Sequence, residues 1–265
     1  MHQDEERRQK DLERLKQLRP IDDDFMRCMF KDNIPLVELV LRIITGKSDL
    51  VITSCETQKD MKRLGGARSV CLDAYGEDSS GKKYDLEVQR EDKGAEPHRA
   101  RYHSSCMDIE NLNARQEFSD LPDTYTIFIT EKDVYGQGEP LYPIERVNLA
   151  TGKLFGDGEH ILYVNGAYRG DSDLGRLMHD FSCTDAGDMN FDLMAERTRY
   201  LKENPKGVSQ MCKVLEEMCR EERKETLLEV VQMLLADGTL TLEKIAEITH
   251  LPLEEVKRLQ RGHNV

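Results

Sequence analysis

Hydrophobic positions in the first fifty residues recur every three or four places, which is the spacing of one face of an α-helix. We predict a leader helix over residues 1–19 that ends before Pro20. An acidic run at 22–24 offers an N-cap for a second helix, FMRCMF. A third helix follows Pro35 and is closed by Gly46. The chain is therefore expected to open with three helices.

From about residue 50 the pattern changes to short segments that are rich in β-formers or alternate with a period of two. Strands are predicted for LVITSCETQ, ARSVCLDAYGED and KKYDLEVQR, and the polar GEDSSGK between the last two predicts an antiparallel hairpin. Further strands are predicted for DTYTIFITEKD, LYPIERVNL and HILYVNG, the last two separated by the turn TGKLFGDGE. A helical pattern returns at residues 94–115 and 172–235, with an interruption near Asn204-Pro205.

The last thirty residues carry LEKIAEITHLPLEEVKRLQ, two short helical patterns around a turn at His250–Pro252. This is the spacing of a helix-turn-helix, with core positions at Ile245, Ala246, Leu251 and Val256. The second helix begins with LEEV, whose acidic side chains would repel phosphate where a DNA reader needs polar or basic groups. We favour a packing or oligomerisation element over a DNA reader.

Composition narrows the classes of protein to consider. No run among the 265 residues approaches the length of an apolar membrane span, so none is expected, and the charged start does not predict a secretory signal. Seven cysteines are scattered without a CxxC pair, which disfavours a disulfide framework or zinc ribbon and favours a reducing cytoplasm. No GxGxxG or GxxxxGK[ST] motif occurs, so we expect no nucleotide cofactor.

The net charge of −13 disfavours an extended basic surface for nucleic acid. It remains compatible with a nuclease, because a carboxylate-rich centre is offset locally by its cation and by a restricted basic rim. Net charge indicates solubility and association rather than fold.

Two carboxylates, Asp73 and Glu87, stand on the two strands of the predicted hairpin and fall near one another across the pair. Along the second strand, Asp85, Glu87 and Gln89 alternate onto one face. Such a face is typical of a solvated sheet surface. The functional alternative is that Asp73 and Glu87 bind Mg²⁺ or Mn²⁺, and that Gln89 orients the attacking water or a phosphate oxygen.

Four segments, in this order, resemble the PD-(D/E)XK nuclease family transposases, bacterial proteins related to the recombination-promoting nucleases: RSVCLDAYGEDSSGKKYDLEVQR, RARYHSSCMD, YTIFITEKDVYGQG and ILYVNGAYRGD. The resemblance runs from about Asp22 to Cys219. It implies a restriction-endonuclease-like α/β fold, with a central mixed sheet flanked by helices and an α-helical C-terminal extension. We expect a leader helix over 1–19, a nuclease-like domain over 20–220 and a helical extension over 221–265.

The resemblance also implies a metal-dependent DNA endonuclease of the bacterial cytoplasm, linked to transposition or recombination, with Mg²⁺ or Mn²⁺ as cofactor. Cutting of two strands by one site per chain would favour a homodimer. Asp73 matches the first Asp of the motif, Glu87 the (D/E), and Gln89 occupies the place of the Lys, while Leu72 stands where the motif has Pro. The predicted catalytic residues are therefore Asp73, Glu87 and Gln89, the first two as metal ligands.

Gln89 lacks the positive charge that a Lys would supply, because a neutral amide can only hydrogen-bond. Arg68 or Arg90 could restore that charge, depending on where their side chains point. Arg99 or Arg101, on the helix after the hairpin, could contact a phosphate. A solvated helix face with snorkelling side chains is the alternative for these last two.

Asp24, on the helix before the strands, could complete the metal site, and its alternative role is to cap that helix. The missing motif Lys and the acidic net charge keep a second hypothesis open. The chain would then be a catalytically weak or inactive nuclease-fold module that binds DNA or a protein. Little metal-dependent cleavage and no thermal stabilisation by Mn²⁺ are expected in that case.

Overall fold

A computed structural model of the chain describes residues 2–61, 70–90 and 92–263. The chain forms two compact units, residues 1–211 and 212–265. No helix within the described ranges is long and apolar enough to cross a membrane.

The larger unit begins with helices and contains the main sheet. Its elements are α1 (His2–Gln17), α2 (Asp23–Phe30), α3 (Ile34–Thr45), β1 (Ile52–Asp60), β2 (Cys71–Asp78), β3 (Lys83–Gln89), α4 (Pro97–Asn111), β4 (Thr124–Thr130), β5 (Leu141–Ile144), β6 (Val147–Asn148), β7 (Lys153–Leu154), β8 (Glu159–Asn165), α5 (Asp173–Ser182) and α6 (Asp192–Glu203). Single turns of 3-10 helix lie at Asp92–Ala95, Phe118–Asp120 and Ala186–Asp188. The second unit contains the C-terminal part of α7 (Pro205–Asp237), then α8 (Leu242–Thr249) and α9 (Leu253–His263).

The main sheet, as far as its strands are described, has the order β1-β2-β3-β4-β8-β5. Strands β1, β2 and β3 are antiparallel, β3, β4 and β8 are parallel, and β5 is antiparallel to β8. Helix α4 lies in the crossover from β3 to β4, since parallel neighbours need a long connection. This arrangement confirms the predicted central mixed sheet flanked by helices.

The middle of the sheet is buried on both faces. Every residue of β4, TYTIFIT, is buried, including its three threonines, as expected of a strand that is covered on both faces. In β3 the buried run includes Asp85 and Glu87. The polar alternation of β3 therefore continues into the interior of the domain.

The helices before the sheet pack onto the core. Leu15 and Leu18 of the leader segment are buried. Asp22 holds the N-cap position of α2, so the capping role considered for Asp24 is wrong, because Asp24 lies inside the first turn. Helix α3 ends at Gly46 with a φ of 68°, which confirms the predicted glycine C-cap.

The segment LYPIERVNL forms two strands instead of the single one predicted. Strand β5 joins the main sheet, whereas β6 pairs with β7 in a separate hairpin. The break falls at Glu145 and Arg146. Glu145 pairs with His160 at 2.6 Å, and Arg146 pairs with Asp157 and Glu159. These ion pairs hold the chain where it leaves the sheet.

The long C-terminal helical region is interrupted at Asn204-Pro205, as predicted, and also over 183–191. The second interruption follows Asp180. Its carboxylate accepts hydrogen bonds from the backbone N–H groups of Asn190 at 2.8 Å and Phe191 at 2.9 Å. A buried carboxylate therefore closes a loop that the helical pattern did not predict.

In the second unit, α8 and α9 pack with the end of α7 around Val231, Ile245 and Val256. The turn between α8 and α9 passes through His250, whose φ of 56° is left-handed. The two short helices and their turn are as predicted from the spacing. A role in packing, oligomerisation or DNA reading stays a prediction.

Candidate active site

The hairpin of β2 and β3 brings two carboxylates together. Ala74 lies opposite Leu86, and one residue further along, the backbone N–H of Asp73 donates to Glu87 Oε1 at 3.0 Å. The N–H of Val88 in turn donates to Asp73 Oδ2 at 3.3 Å. The predicted proximity of Asp73 and Glu87 is present, and strand pairing fixes it.

The carboxylates of this hairpin lie in the interior. Asp73 is 8% exposed, and Asp85 and Glu87 are fully buried, so a solvated strand face is the wrong interpretation for them. Burial raises the pKa of Asp73 well above its ordinary value, and the charge of Glu87 adds to this. Burial, together with the charge of Asp85, raises the pKa of Glu87 to about 8. Three carboxyls in this arrangement cannot all ionise without a compensating cation.

Helix α4 packs over the sheet beside Glu87 and Asp85. Its residues Arg99 and His103 are four positions apart and therefore lie on the same side of the helix. Arg99 Nη2 donates to Glu87 Oε2 at 3.2 Å, and Arg99 Nε donates to His103 Nε2 at 3.3 Å. His103 Nδ1 lies 3.0 Å from Asp85 Oδ2. Burial lowers the pKa of His103, and the two bonds assign a neutral ring with its proton on Nδ1. The helix thus delivers one cation and one neutral imidazole to the carboxylates.

Gln89 follows on the same strand and is half-buried. Its side chain lies against the 3-10 turn Asp92–Ala95, where a Cβ placed on Gly94 would be 1.8 Å from Gln89 Oε1. A glycine at this position is what leaves room for the amide. The structure therefore holds Gln89 at the end of β3, where the motif has its Lys.

Helix α2 and strand β1 complete the surroundings of Asp73. The negative charge of Asp23 raises the pKa of Asp73 further, whereas the positive charge of Arg27 lowers it. Gln58 Nε2 donates to Asp73 Oδ1 at 3.3 Å. Asp24 lies on α2 and is buried. Its role as a metal ligand stays a prediction.

The other predicted phosphate contacts are placed differently. Arg68 lies outside the described residues. Arg90 pairs with Asp22 at 3.3 Å and with Glu131 at 3.6 Å, so its charge is already balanced there. Arg101 is exposed and lines a cavity between α4 and the far strands of the sheet. Their roles toward phosphate stay predictions.

Asp85 and His103 were missed as site residues by the sequence reasoning. The alternation of β3 had placed Asp85 on the face of Glu87, and that signal was available. His103 is not among the predicted residues, because no spacing along the chain pairs it with the carboxylates of the hairpin. Its partners in the structure are Arg99, four residues earlier on α4, and Asp85.

The donor atoms fit a hard divalent cation. Asp85 and Glu87 offer carboxylate oxygens there; His103 lies in the same group, whose ligand atoms are within 4.8 Å of one another, but both of its ring nitrogens are already hydrogen-bonded. Asp85 Oδ1 is buried and has no hydrogen-bond partner in the part of the chain that the structure describes. Carboxylate oxygens are the ligands that Mg²⁺ and Mn²⁺ prefer. A cation beside Glu87 would also stabilise the charged forms of these carboxyls, whose pKa values are raised by burial first and by mutual repulsion second.

Comparison with protein families matches residues 32–166, just over half of the chain, to the PD-(D/E)XK nuclease family transposases. The chain belongs to this family. The match covers the hairpin and α4, and it confirms the restriction-endonuclease-like fold for this PD-(D/E)XK protein. Membership indicates a role in nuclease chemistry or transposition, and nucleases of this kind use divalent metal. Searches of curated proteins and of solved structures returned no match.

Proposed function

We propose that this PD-(D/E)XK protein is a DNA endonuclease that uses Mg²⁺ or Mn²⁺ and acts in transposition or recombination. One observation carries the proposal: Asp73, Asp85 and Glu87 are packed together inside the sheet. Carboxylates buried side by side are costly unless a cation compensates them, and perturbed carboxyls of this kind cluster at functional sites. Asp73 and Glu87 are the proposed ligands, and Asp85, which has an oxygen within 4.8 Å of Glu87, is the third carboxylate of the centre.

When bound, the cation would lower the pKa of a water molecule and offset charge on the phosphate. Hydrolysis would add the oxygen of a water molecule to phosphorus as the bond to the leaving oxygen breaks, and the proton lost by the water would end on that leaving oxygen. Arg99, beside Glu87 and with 42% of its side chain exposed, is positioned to hold a phosphate oxygen. It supplies the positive charge that Gln89 lacks. His103 fixes the guanidinium by accepting from Arg99 Nε.

Gln89 is proposed to hydrogen-bond the attacking water or a phosphate oxygen, which needs no charge. Asp24 is proposed as a further ligand only if its carboxylate reaches the cation of Asp73 and Glu87. The partner is DNA, and a homodimer would let one site per chain cut two strands. Every cysteine whose side chain the structure describes is a free thiol, in keeping with the proposed cytoplasmic location.

The test is cleavage of supercoiled plasmid by the full chain with Mg²⁺ or Mn²⁺, and with EDTA in place of the metal. We expect cleavage with metal and its loss in Asp73→Ala and in Glu87→Ala. Glu77→Gln is the matched control, because Glu77 lies on the same hairpin but pairs with Lys83 at 2.6 Å, away from the centre. Circular dichroism shows whether each variant is folded. Unchanged cleavage in both alanine variants would contradict this assignment.

The second candidate is a nuclease fold with weak or no catalysis that binds DNA or a protein. The neutral Gln89 at the motif Lys position favours it. It predicts little cleavage and no rise in melting temperature with Mn²⁺. A rise that is lost in Glu87→Ala would count against this candidate, because only a metal held by Glu87 produces that pattern.

A further inference from the structure

A cavity of about 220 Å³ lies between α4 and the strands β5 and β8, on the sheet face that carries Glu87. Its walls are mainly apolar and include Pro97, Ala100, Ile144, Ile161 and the rings of Tyr135 and Tyr163. An apolar cavity of roughly 150 Å³ is enough to hold benzene. This one therefore has room for a single planar heterocycle.

Two polar atoms of the cavity walls lack partners. Tyr163 is 2% exposed, and neither its hydroxyl nor Glu159 Oε1 has a hydrogen-bond partner among the residues that the structure covers. Glu159 pairs with Arg146 through its other oxygen. Burial raises the pKa of Tyr163 to about 12, so its hydroxyl is a donor at neutral pH. Buried polar groups are rarely left unsatisfied in folded proteins, so the wall of this cavity holds one donor and one acceptor whose partners are missing.

The cavity lies close to the carboxylate centre on the same sheet face. Glu87, Phe128 and Tyr163 are register partners on the adjacent strands β3, β4 and β8. Two strand spacings separate Glu87 from Tyr163, about 10 Å. Helix α4 covers both places: Arg99 contacts Glu87, and Arg101 lines the cavity.

Arg101 stands exposed at the rim, with no ion pair to any residue in the described ranges. An arginine so placed is suited to a phosphate. A phosphate held by Arg101 would lie at the rim of the cavity, next to the base that it carries.

We infer that this cavity receives one unpaired nucleobase of the DNA strand held at the carboxylate centre; the inference rests on the proposed nuclease function. A base edge alternates N–H donors with oxygen or nitrogen acceptors, which matches Glu159 Oε1 and the hydroxyl of Tyr163. The exposed ring of Tyr135 offers a stacking surface. Enzymes that extrude a base read it by such edge contacts and by stacking.

The consequence for substrate choice is direct. A base enters the cavity only after it leaves its stack and its pair, which is easiest in single-stranded or mismatched DNA. The PD-(D/E)XK centre would then cut next to an unpaired base more readily than within a perfect duplex. For cleavage, the identity of that base would matter less than whether it is unpaired.

The test uses the full chain with Mn²⁺ and a set of single-stranded oligonucleotides, each with one abasic site moved along the strand. Wild-type protein is expected to bind one member of the set about tenfold more weakly than the intact strand. Tyr163→Phe and Glu159→Gln should each weaken binding of the intact strand by roughly three- to tenfold. Neither should weaken binding of that one abasic strand further, because the lost contact is the same.

Tyr168→Phe is the matched control, since it removes a tyrosine hydroxyl outside the cavity, and its binding should equal that of wild type. Equal binding of every abasic strand, or intact-strand binding by Tyr163→Phe and Glu159→Gln equal to wild type, would overturn the base cavity. If plasmid is still cut, the nuclease proposal survives that result. If wild type neither binds nor cuts DNA, both proposals fall.

Discussion

Asp180 and Glu87 are both fully buried carboxylates, yet their surroundings differ. Asp180 Oδ1 accepts from the backbone N–H and the side-chain Nδ2 of Asn190, each at 2.8 Å, and Oδ2 accepts from the N–H of Phe191 at 2.9 Å. Its donors come from the loop that it closes. This carboxylate is satisfied by the fold itself.

Glu87 is surrounded differently. It lies beside Asp73 and Asp85, whose charges repel its own, and its donors are the N–H of Asp73 and the half-exposed Arg99. A carboxylate satisfied by N–H groups stabilises a loop, whereas carboxylates packed against one another are stable only when something else compensates them. Groups such as these carboxylates, which are buried although they destabilise the fold, are expected at functional sites.

The largest expected effect is on cleavage by Glu87→Gln. The variant keeps the size of the side chain but loses the charge that a cation needs, so we expect the rate to fall on the order of 10³-fold, about 4 kcal/mol in activation free energy. The melting temperature without metal should change little, because relief of the repulsion from Asp73 and Asp85 offsets the loss of one of the two bonds that the Glu87 oxygens accept. Plasmid cleavage and thermal unfolding measure the two effects. A Glu87→Gln variant that is strongly destabilised but still cleaves would show that Glu87, like Asp180, stabilises the fold and does not serve the site.

Asp180→Ala should have the opposite signature. Loss of the acceptor leaves the N–H groups of Asn190 and Phe191 unsatisfied, and we expect unfolding free energy to fall by about 3 kcal/mol. Metal-dependent cleavage at low temperature should persist. Urea unfolding measures the loss, and Asp173→Ala, an exposed acid on the same helix, should change it by less than about 0.5 kcal/mol. Equal losses of unfolding free energy in the two variants would contradict the role of Asp180 in stabilising the loop 183–191.

Arg99→Ala should slow cleavage by about 30-fold, about 2 kcal/mol, because a charge-assisted contact to phosphate is lost. Arg99→Lys should recover part of the rate, since it keeps the charge but not the fork of donors. Single-turnover cleavage measures both. Arg90→Ala is the control: its partners Asp22 and Glu131 lie elsewhere, so we expect less than about a threefold change. An equal effect of the two alanine variants would remove Arg99 from the site.

The smallest expected effect comes from Gly94→Ala, which leaves the carboxylates unchanged. The new Cβ would displace the amide of Gln89, and we expect cleavage to slow by roughly five- to tenfold with little loss of stability. In a Gln89→Ala background the same change should have no further effect. A further loss in that background would show that Gly94 acts through something other than Gln89.

The sequence predicted the parts of the fold that depend on local pattern. The β2–β3 hairpin followed from two strand patterns around GEDSSGK, and Gly46 ended α3 where a glycine C-cap was expected. Proximity of Asp73 and Glu87 followed from the hairpin alone, because strand pairing fixes which residues meet. These features need no information from distant segments.

The remaining parts depend on contacts between distant segments. His103 meets Asp85 only because α4 folds back over the sheet, and no spacing along the chain encodes that contact. The loop after Asp180 interrupts a helical pattern because a carboxylate captures N–H groups ten and eleven residues later. The break at Glu145 likewise depends on His160, fifteen residues away. Tertiary contacts overrode local preference in each case.

Helix α4 connects β3 to β4 and carries Arg99 and His103 on one side. Each residue turns an α-helix by about 100°. A single residue inserted between Arg99 and His103 would leave the helix continuous but would rotate His103 away from Asp85. Length variation is therefore admissible in the segment 112–123, beyond the end of the helix, and not within its first two turns. An engineer who transplants or circularly permutes this domain must keep the spacing from Arg99 to His103 unchanged.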